Sequence, residues 1–184
     1  MKRFRILYAD DDTSSVRRLI RLRAPSILLG LILGIILAFV FSRFEEVLSK
    51  DIRVAFFIPF VVYIAAAVGA QTQSIFARDL KSGHASFKKY LSKEISVGLI
   101  LGLVSAVVSA LIAFIWFQEA ALASVVGIAM LLAVSIAPLV ALLVTESLQI
   151  EHLDPAVGAG PIATVIQDTL SVLIYGLVAS FILL

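Results

Sequence analysis

Five uncharged, largely apolar runs divide the chain: residues 24–42, 54–77, 95–118 and 120–145, and a last run over 155–184 broken only by Asp168. At roughly 1.5 Å per helical residue, each is long enough to cross a hydrocarbon core about 30 Å thick. The apolar positions are continuous rather than alternating, so the pattern is that of helices and not of barrel strands. The prediction is an all-α integral membrane protein with five transmembrane helices. Composition agrees. Of the 184 residues, 61% are apolar and 15% charged, against roughly 45–50% and about 25% in soluble proteins; mean hydropathy is +1.07. A soluble domain of this size has too little interior to hide that surface, and a disordered chain is poor in hydrophobes.

Charge placement then predicts orientation. Lys2, Arg3, Arg5, Arg17, Arg18, Arg21 and Arg23 precede the first run, and Arg78, Lys81, Lys88, Lys89 and Lys93 lie between the second and third. Arg43, Lys50 and Arg53 lie between the first and second, and nothing basic follows Lys93. The positive-inside rule puts the N-terminus in the cytoplasm, and five crossings put the C-terminus outside. Residues 1–23 are read as a cytoplasmic segment and 24–184 as the transmembrane domain. The first run is longer than a signal-peptide core and lacks a small-x-small cleavage site. Within the segment, residues 13–23 predict a short basic amphipathic helix at the membrane surface, capped by Thr13 or Ser14. Asp10–Asp12 read as a solvated helix start. The net charge of +2 gives no reason to expect a nucleic-acid partner.

Side-chain chemistry removes several functions. Without cysteine, and with only His84 and His152, thiolate sites and a histidine-rich zinc site are not expected. No G-x-x-x-x-G-K-[ST], H-E-x-x-H or G-x-S-x-G motif is present, which argues against nucleotide-driven or intramembrane hydrolytic chemistry.

The decisive residue is Asp168, 14 residues after Asp154 and 16 before the end of the chain, hence near mid-bilayer. A charge there costs at least about 2.5–3.5 kcal/mol, and no Lys or Arg lies in any apolar run. The carboxylate must be protonated, hydrated, or matched by a cation from outside. Asp154-Pro155 has the form of a helix start. Pro161 leaves the carbonyl of Val157 without its helical donor and predicts a kink. Pro161, Thr164 and Asp168 recur at i, i+3 and i+7, on one face, and offer the hard oxygen ligands that suit Mg²⁺ or Ca²⁺. Gly69-Ala70-Gln71-Thr72-Gln73-Ser74 forms a second polar cluster, with amides and hydroxyls suited to the waters of a hydrated ion or to interhelical hydrogen bonds. A pentapeptide, GLILG, occurs at Gly30–Gly34 and again at Gly98–Gly102 and is read as close helix packing.

These residues resemble the transmembrane domain of the MgtE-type magnesium channels and transporters. The similarity rests on Asp154-Pro155-Ala156, Gly160-Pro161, Thr164, Asp168 and Leu173-Ile174-Tyr175. It extends to Pro59 with the stretch leading to Gln73-Ser74, and to Lys93-Glu94, Gly98 and Leu101-Gly102. The resemblance implies a homodimer with an ion path on its axis, lined by the second and fifth spans. It implies that Asp168 holds a hydrated Mg²⁺ with the backbone at Thr164, and that Asp154 serves regulatory cation binding at the cytoplasmic mouth. Gly69, Thr72, Gln73, Gly160 and Pro161 would line the pore. Gly69, Thr72 and Gly160 stand where family members often carry asparagine, which leaves Co²⁺, Ni²⁺, Mn²⁺ and Zn²⁺ open as cargo. The family's N-domain and CBS domains are not in this sequence. A gate formed by the N-terminal helix, by the second loop or by a separate regulatory protein would be needed, unless the pore is always open.

The reading is a divalent-cation channel or transporter, most simply for Mg²⁺, in the plasma membrane and not an enzyme. An inside-negative potential would drive a divalent cation inward by about 4.6 kcal/mol per 100 mV, twice the single-charge value. A transport-inactive membrane scaffold or accessory subunit, and a proton-coupled carrier using Asp168, remain as rivals.

Overall fold

The computed structural model describes residues 14–83, 85–151 and 155–184, with the side chains of the last helix from Ala159 onward. The helices are α1 (Val16–Ser42), α2 (Glu45–Lys50), α3 (Arg53–Lys81), α4 (Phe87–Phe117), α5 (Ala120–Ile150) and α6 (Pro155–Leu183). Among the described residues, five helices (all but α2) are long and apolar enough to cross a membrane. The chain is a multi-pass membrane protein, as the runs predict.

Helix and apolar run are not coextensive. α1 begins at residue 16 rather than 24, α3 continues to 81, α4 begins at 87 rather than 95, and α5 continues to 150. Because successive spans alternate in direction, all four extensions project from the same end of the bundle. Backbone hydrogen bonding does not stop where lipid does, so an apolar run marks only the membrane-embedded part of a helix. The expected surface helix at 13–23 is accordingly continuous with the first span from Val16, passing through Pro25 without a break. Ser15 occupies the N-cap position, with no side-chain capping bond.

α2 was not foreseen. Six residues between the first two spans form one short helix, EEVLSK, whose Val47 is buried at 1% exposure among the core residues. At the same end of the bundle, Gln118 adopts a left-handed conformation (φ 54°). Its N–H bonds to the carbonyl of Phe114 at 2.8 Å, closing α4 so that α5 can start two residues later.

This end is held by a charged cluster. Arg53 donates through Nε and Nη2 to the two carboxylate oxygens of Asp51, each at 2.8 Å, and also pairs with Glu119 at the α4–α5 turn. The hydrogen bonds from Arg53 hold the Asp51 carboxyl below its ordinary value of 3.8. Stabilisation from a depressed carboxylate is complete above the unfolded value and is lost as pH falls through the folded one. Unfolding in detergent between pH 7 and pH 3 is expected to show a loss of stability below about 3.8, and Arg53→Met is expected to reduce that acid-dependent part. An unchanged acid limb in the variant would remove the cluster from the stability of the fold. Nearby, the buried Tyr175 hydroxyl of α6 donates to the carbonyl of Val54 at 2.8 Å, tying α6 to the first turn of α3.

α5 is the centre of the bundle and packs against α3, α4 and α6. Ala133, Ala137 and Ala141, one helical turn apart, are all buried and leave room for close neighbours. α1 packs on α6, with Gly30 facing Val165 and Pro161. The rest of α1 leaves Leu28, Leu31, Ile32, Ile35 and Phe39 exposed, as a lipid-facing helix should.

Candidate functional site

Three helices build the candidate site, and small residues decide where they touch. On α3, Gly69 is buried against α5: a Cβ there would lie 3.4 Å from the carbonyl oxygen of Ala137. On α6, Gly160 leaves space that the amide of Gln73 borders, its Nε2 3.7 Å from where a Cβ at 160 would stand. Between α3, α5 and α6 lies a cavity of about 20 Å³, enough for about one water. Its α3 wall is Ala66, Gly69, Ala70 and Gln73, its α5 wall Ala137, Val140 and Ala141, and its α6 wall Ala163, Thr164 and Gln167.

Gly69, Gln73, Gly160 and Thr164 are therefore neighbours, as their assignment to one polar path requires. Thr164 is exposed and Asp168 half-buried, and the two stand one turn apart on the same face of α6. The Asp168 Oδ1 is buried without a hydrogen-bond partner. An acceptor in that condition costs about 1–3 kcal/mol, more when it is charged, so a proton, water or cation has a reason to occupy its surroundings.

Pro161 and Thr72 make contacts outside this cavity. Pro161 turns toward α1, where its Cβ and carbonyl oxygen each lie 3.9 Å from a Cβ built at Gly30. It stands with Val165 on the α1 side of α6, which by helical spacing adjoins the position of Asp168. The helix runs on through it, with α1 packed over this turn. Thr72 is buried at 4% exposure and donates to Glu94 Oε2 on α4 at 2.8 Å; it is not among the residues lining the cavity. Asp154 and Asp10–Asp12 lie outside the described residues. Among the described residues, no group of three or more His, Cys, Asp or Glu comes together.

Residues 58–178 match the MgtE family model, described as a divalent cation transporter. The chain belongs to the MgtE family. It is 30% identical over 161 residues to the magnesium transporter MgtE of Enterococcus faecalis, a match covering 86% of this chain and 36% of that protein. A similar match, 30% over 164 residues, covers 87% of the chain and 36% of the Bacillus subtilis magnesium transporter MgtE. The chain thus spans about a third of the length of these relatives. The region matched to the MgtE model includes every cavity-lining residue together with Asp168, while α1 and α2 precede it.

Gln167 is the residue that sequence reasoning missed. It is 3% exposed, and its Nε2 donates to the carbonyl of Ala133 and to Ser171 Oγ, both at 3.2 Å. Its Oε1 is buried and has no partner. A signal for it was present, since Gly160, Thr164 and Gln167 recur at i, i+4 and i+7 on a helix face adjoining that of Asp168. The carboxylate next door drew the attention instead.

Proposed function

We propose that the chain forms a path for divalent cations, Mg²⁺ first among them, across the plasma membrane, with Asp168 as the residue that holds the ion. The observation that carries this reading is a carboxylate in an apolar span with one oxygen buried and unpartnered, beside an exposed Thr164. Family membership and relatives named as magnesium transporters support it. Mg²⁺ dehydrates reluctantly and is bound through its waters by one or two carboxylates, so a lone aspartate per chain suits it. In a homodimer with the N-terminus inside and the C-terminus outside, two Asp168 side chains would face a common axis, with α3 and α6 lining the pore. The second copy explains how so sparse a ligand set can suffice. Asp154, the residue before Pro155 in the sequence, would serve regulatory cation binding at the cytoplasmic mouth.

Mg²⁺ influx into proteoliposomes carrying the unaltered protein, under an imposed inside-negative potential, tests this directly. Uptake well above that of protein-free vesicles, rising with the potential, is expected. No uptake by folded, dimeric protein would favour the scaffold or accessory-subunit reading. Uptake governed by a pH gradient at fixed potential would point to a proton-coupled carrier.

A further inference from the structure

We propose that Gln167 is a specificity-determining residue of the ion path, holding a water in the cavity between α3, α5 and α6 that joins the hydration shell of the passing cation. The inference rests on the transport reading above and adds a residue to it. A glutamine amide has two donor hydrogens and an acceptor oxygen. Both donors are used, on Ala133 of α5 and on Ser171 one turn further along α6. Ala133 contributes a carbonyl, which can only accept, so the amide cannot be reversed without setting two acceptors against each other. Oε1 is therefore the free end of a fixed group, buried and without a donor.

The same residue helps to wall a cavity of about 20 Å³ that also touches Thr164 and Gln73, both able to hydrogen-bond water. The cavity is of one-water size, and Gln73, Thr164 and Gln167 give such a water the two to four polar partners it needs. Through Thr164 it adjoins the face of α6 that carries Asp168. An acceptor anchored at two points favours an ion that arrives with its waters on, because it binds a water and not the metal. Mg²⁺ is such an ion, whereas Co²⁺ forms stronger inner-sphere bonds with nitrogen and oxygen ligands. Gln73 and Gln167 thus bring two side-chain amides to a region where Gly69 and Gly160 bring none.

Two measurements test the proposal in the full chain. An experimental structure that resolves waters is expected to show one within hydrogen-bond distance of Gln167 Oε1; a dry cavity overturns the proposal whatever transport shows. In proteoliposomes, Gln167→Met keeps length and volume without the amide and is expected to lower the Mg²⁺ to Co²⁺ influx ratio at least fivefold. Gln167→Asn keeps an amide with its donors and acceptor, one methylene shorter and without added charge, and is expected to shift the ratio less than Gln167→Met does. Equal shifts in both variants, or a ratio unchanged in Gln167→Met, would sink the specificity role while leaving the transport reading intact. If Gln167→Met does not fold, the Asn variant and the water decide the question. Absence of divalent influx in the unaltered protein would instead bring down the transport reading and this role with it.

Discussion

Asp168→Asn is expected to cut Mg²⁺ influx into proteoliposomes at least about tenfold while leaving the protein folded. A carboxylate about 5 Å from a hydrated divalent cation contributes roughly 2–7 kcal/mol as the effective dielectric falls from 80 to 20. Even the lower figure exceeds the 1.4 kcal/mol that a tenfold change in site occupancy requires. Asparagine keeps the shape and one acceptor oxygen, so any loss reports charge rather than packing. Folding should survive, because among the described residues Asp168 forms no ion pair that holds the bundle together, and its Oδ1 has no partner to lose. Removing an uncompensated carboxylate from a bilayer relieves a cost, so the variant should be at least as stable as the parent. Influx equal to the parent's would take Asp168 off the ion path. Lost influx together with lost dimer or lost thermal stability would instead assign it a structural role.

The two copies of GLILG are expected to respond in opposite directions to the same substitution. At Gly98 a Cβ would lie 2.7 Å from the carbonyl oxygen of Ser135 and 3.2 Å from Pro138 Cγ. At Gly102 it would lie 2.9 Å from the carbonyl oxygen of Leu131. Backbone cannot swing aside as a side-chain end can, so α4 must move off α5, the helix on which the bundle is organised. Overpacking of this kind costs about 1–3 kcal/mol, and at about 2 kcal/mol the apparent Tm should fall by roughly 4–8 °C for a chain of this size. Gly34, by contrast, has nothing within 4 Å. Gly34→Ala should be neutral, or stabilising by up to about 1 kcal/mol through helix propensity. Thermal unfolding of Gly102→Ala and Gly34→Ala, the same position in the two pentapeptides, in the same detergent decides the point. Similar shifts in the two variants would show that the α4–α5 seam is not as close as its geometry indicates.

The contrast between these pentapeptides separates what can be read along the chain from what cannot. At the second glycine of the motif, Gly102 faces the backbone of α5 while Gly34 has nothing within 4 Å, although the residues are identical and the flanking runs equally apolar. α1, α4 and α5 reach the same peak hydropathy, yet α5 is the core and α1 lies at the edge, exposed along most of its length. Solubility in lipid says that a helix can cross the bilayer. It does not say which side of the helix meets protein, because lipid tails and leucine are alike in polarity and only shape distinguishes them.

Much of the candidate site was visible because its polarity is anomalous where it occurs. Asp168 stands out in an apolar run, and Thr164 and Gly160 follow from helical spacing. Gln73 was likewise marked by its place in a polar cluster. Contacts that depend on side-chain direction across helices were not legible: Thr72 finds Glu94 on α4, Pro161 faces Gly30 of α1, and Gln167 reaches Ala133 on α5. Number and approximate extent of the spans came from the cost of leaving backbone and charge in hydrocarbon, a term set residue by residue and so written along the chain. Which helix is central, where backbones touch and which amide is left with a free oxygen came from van der Waals fit and hydrogen-bond pairing between distant segments, and those exist only once the helices are packed.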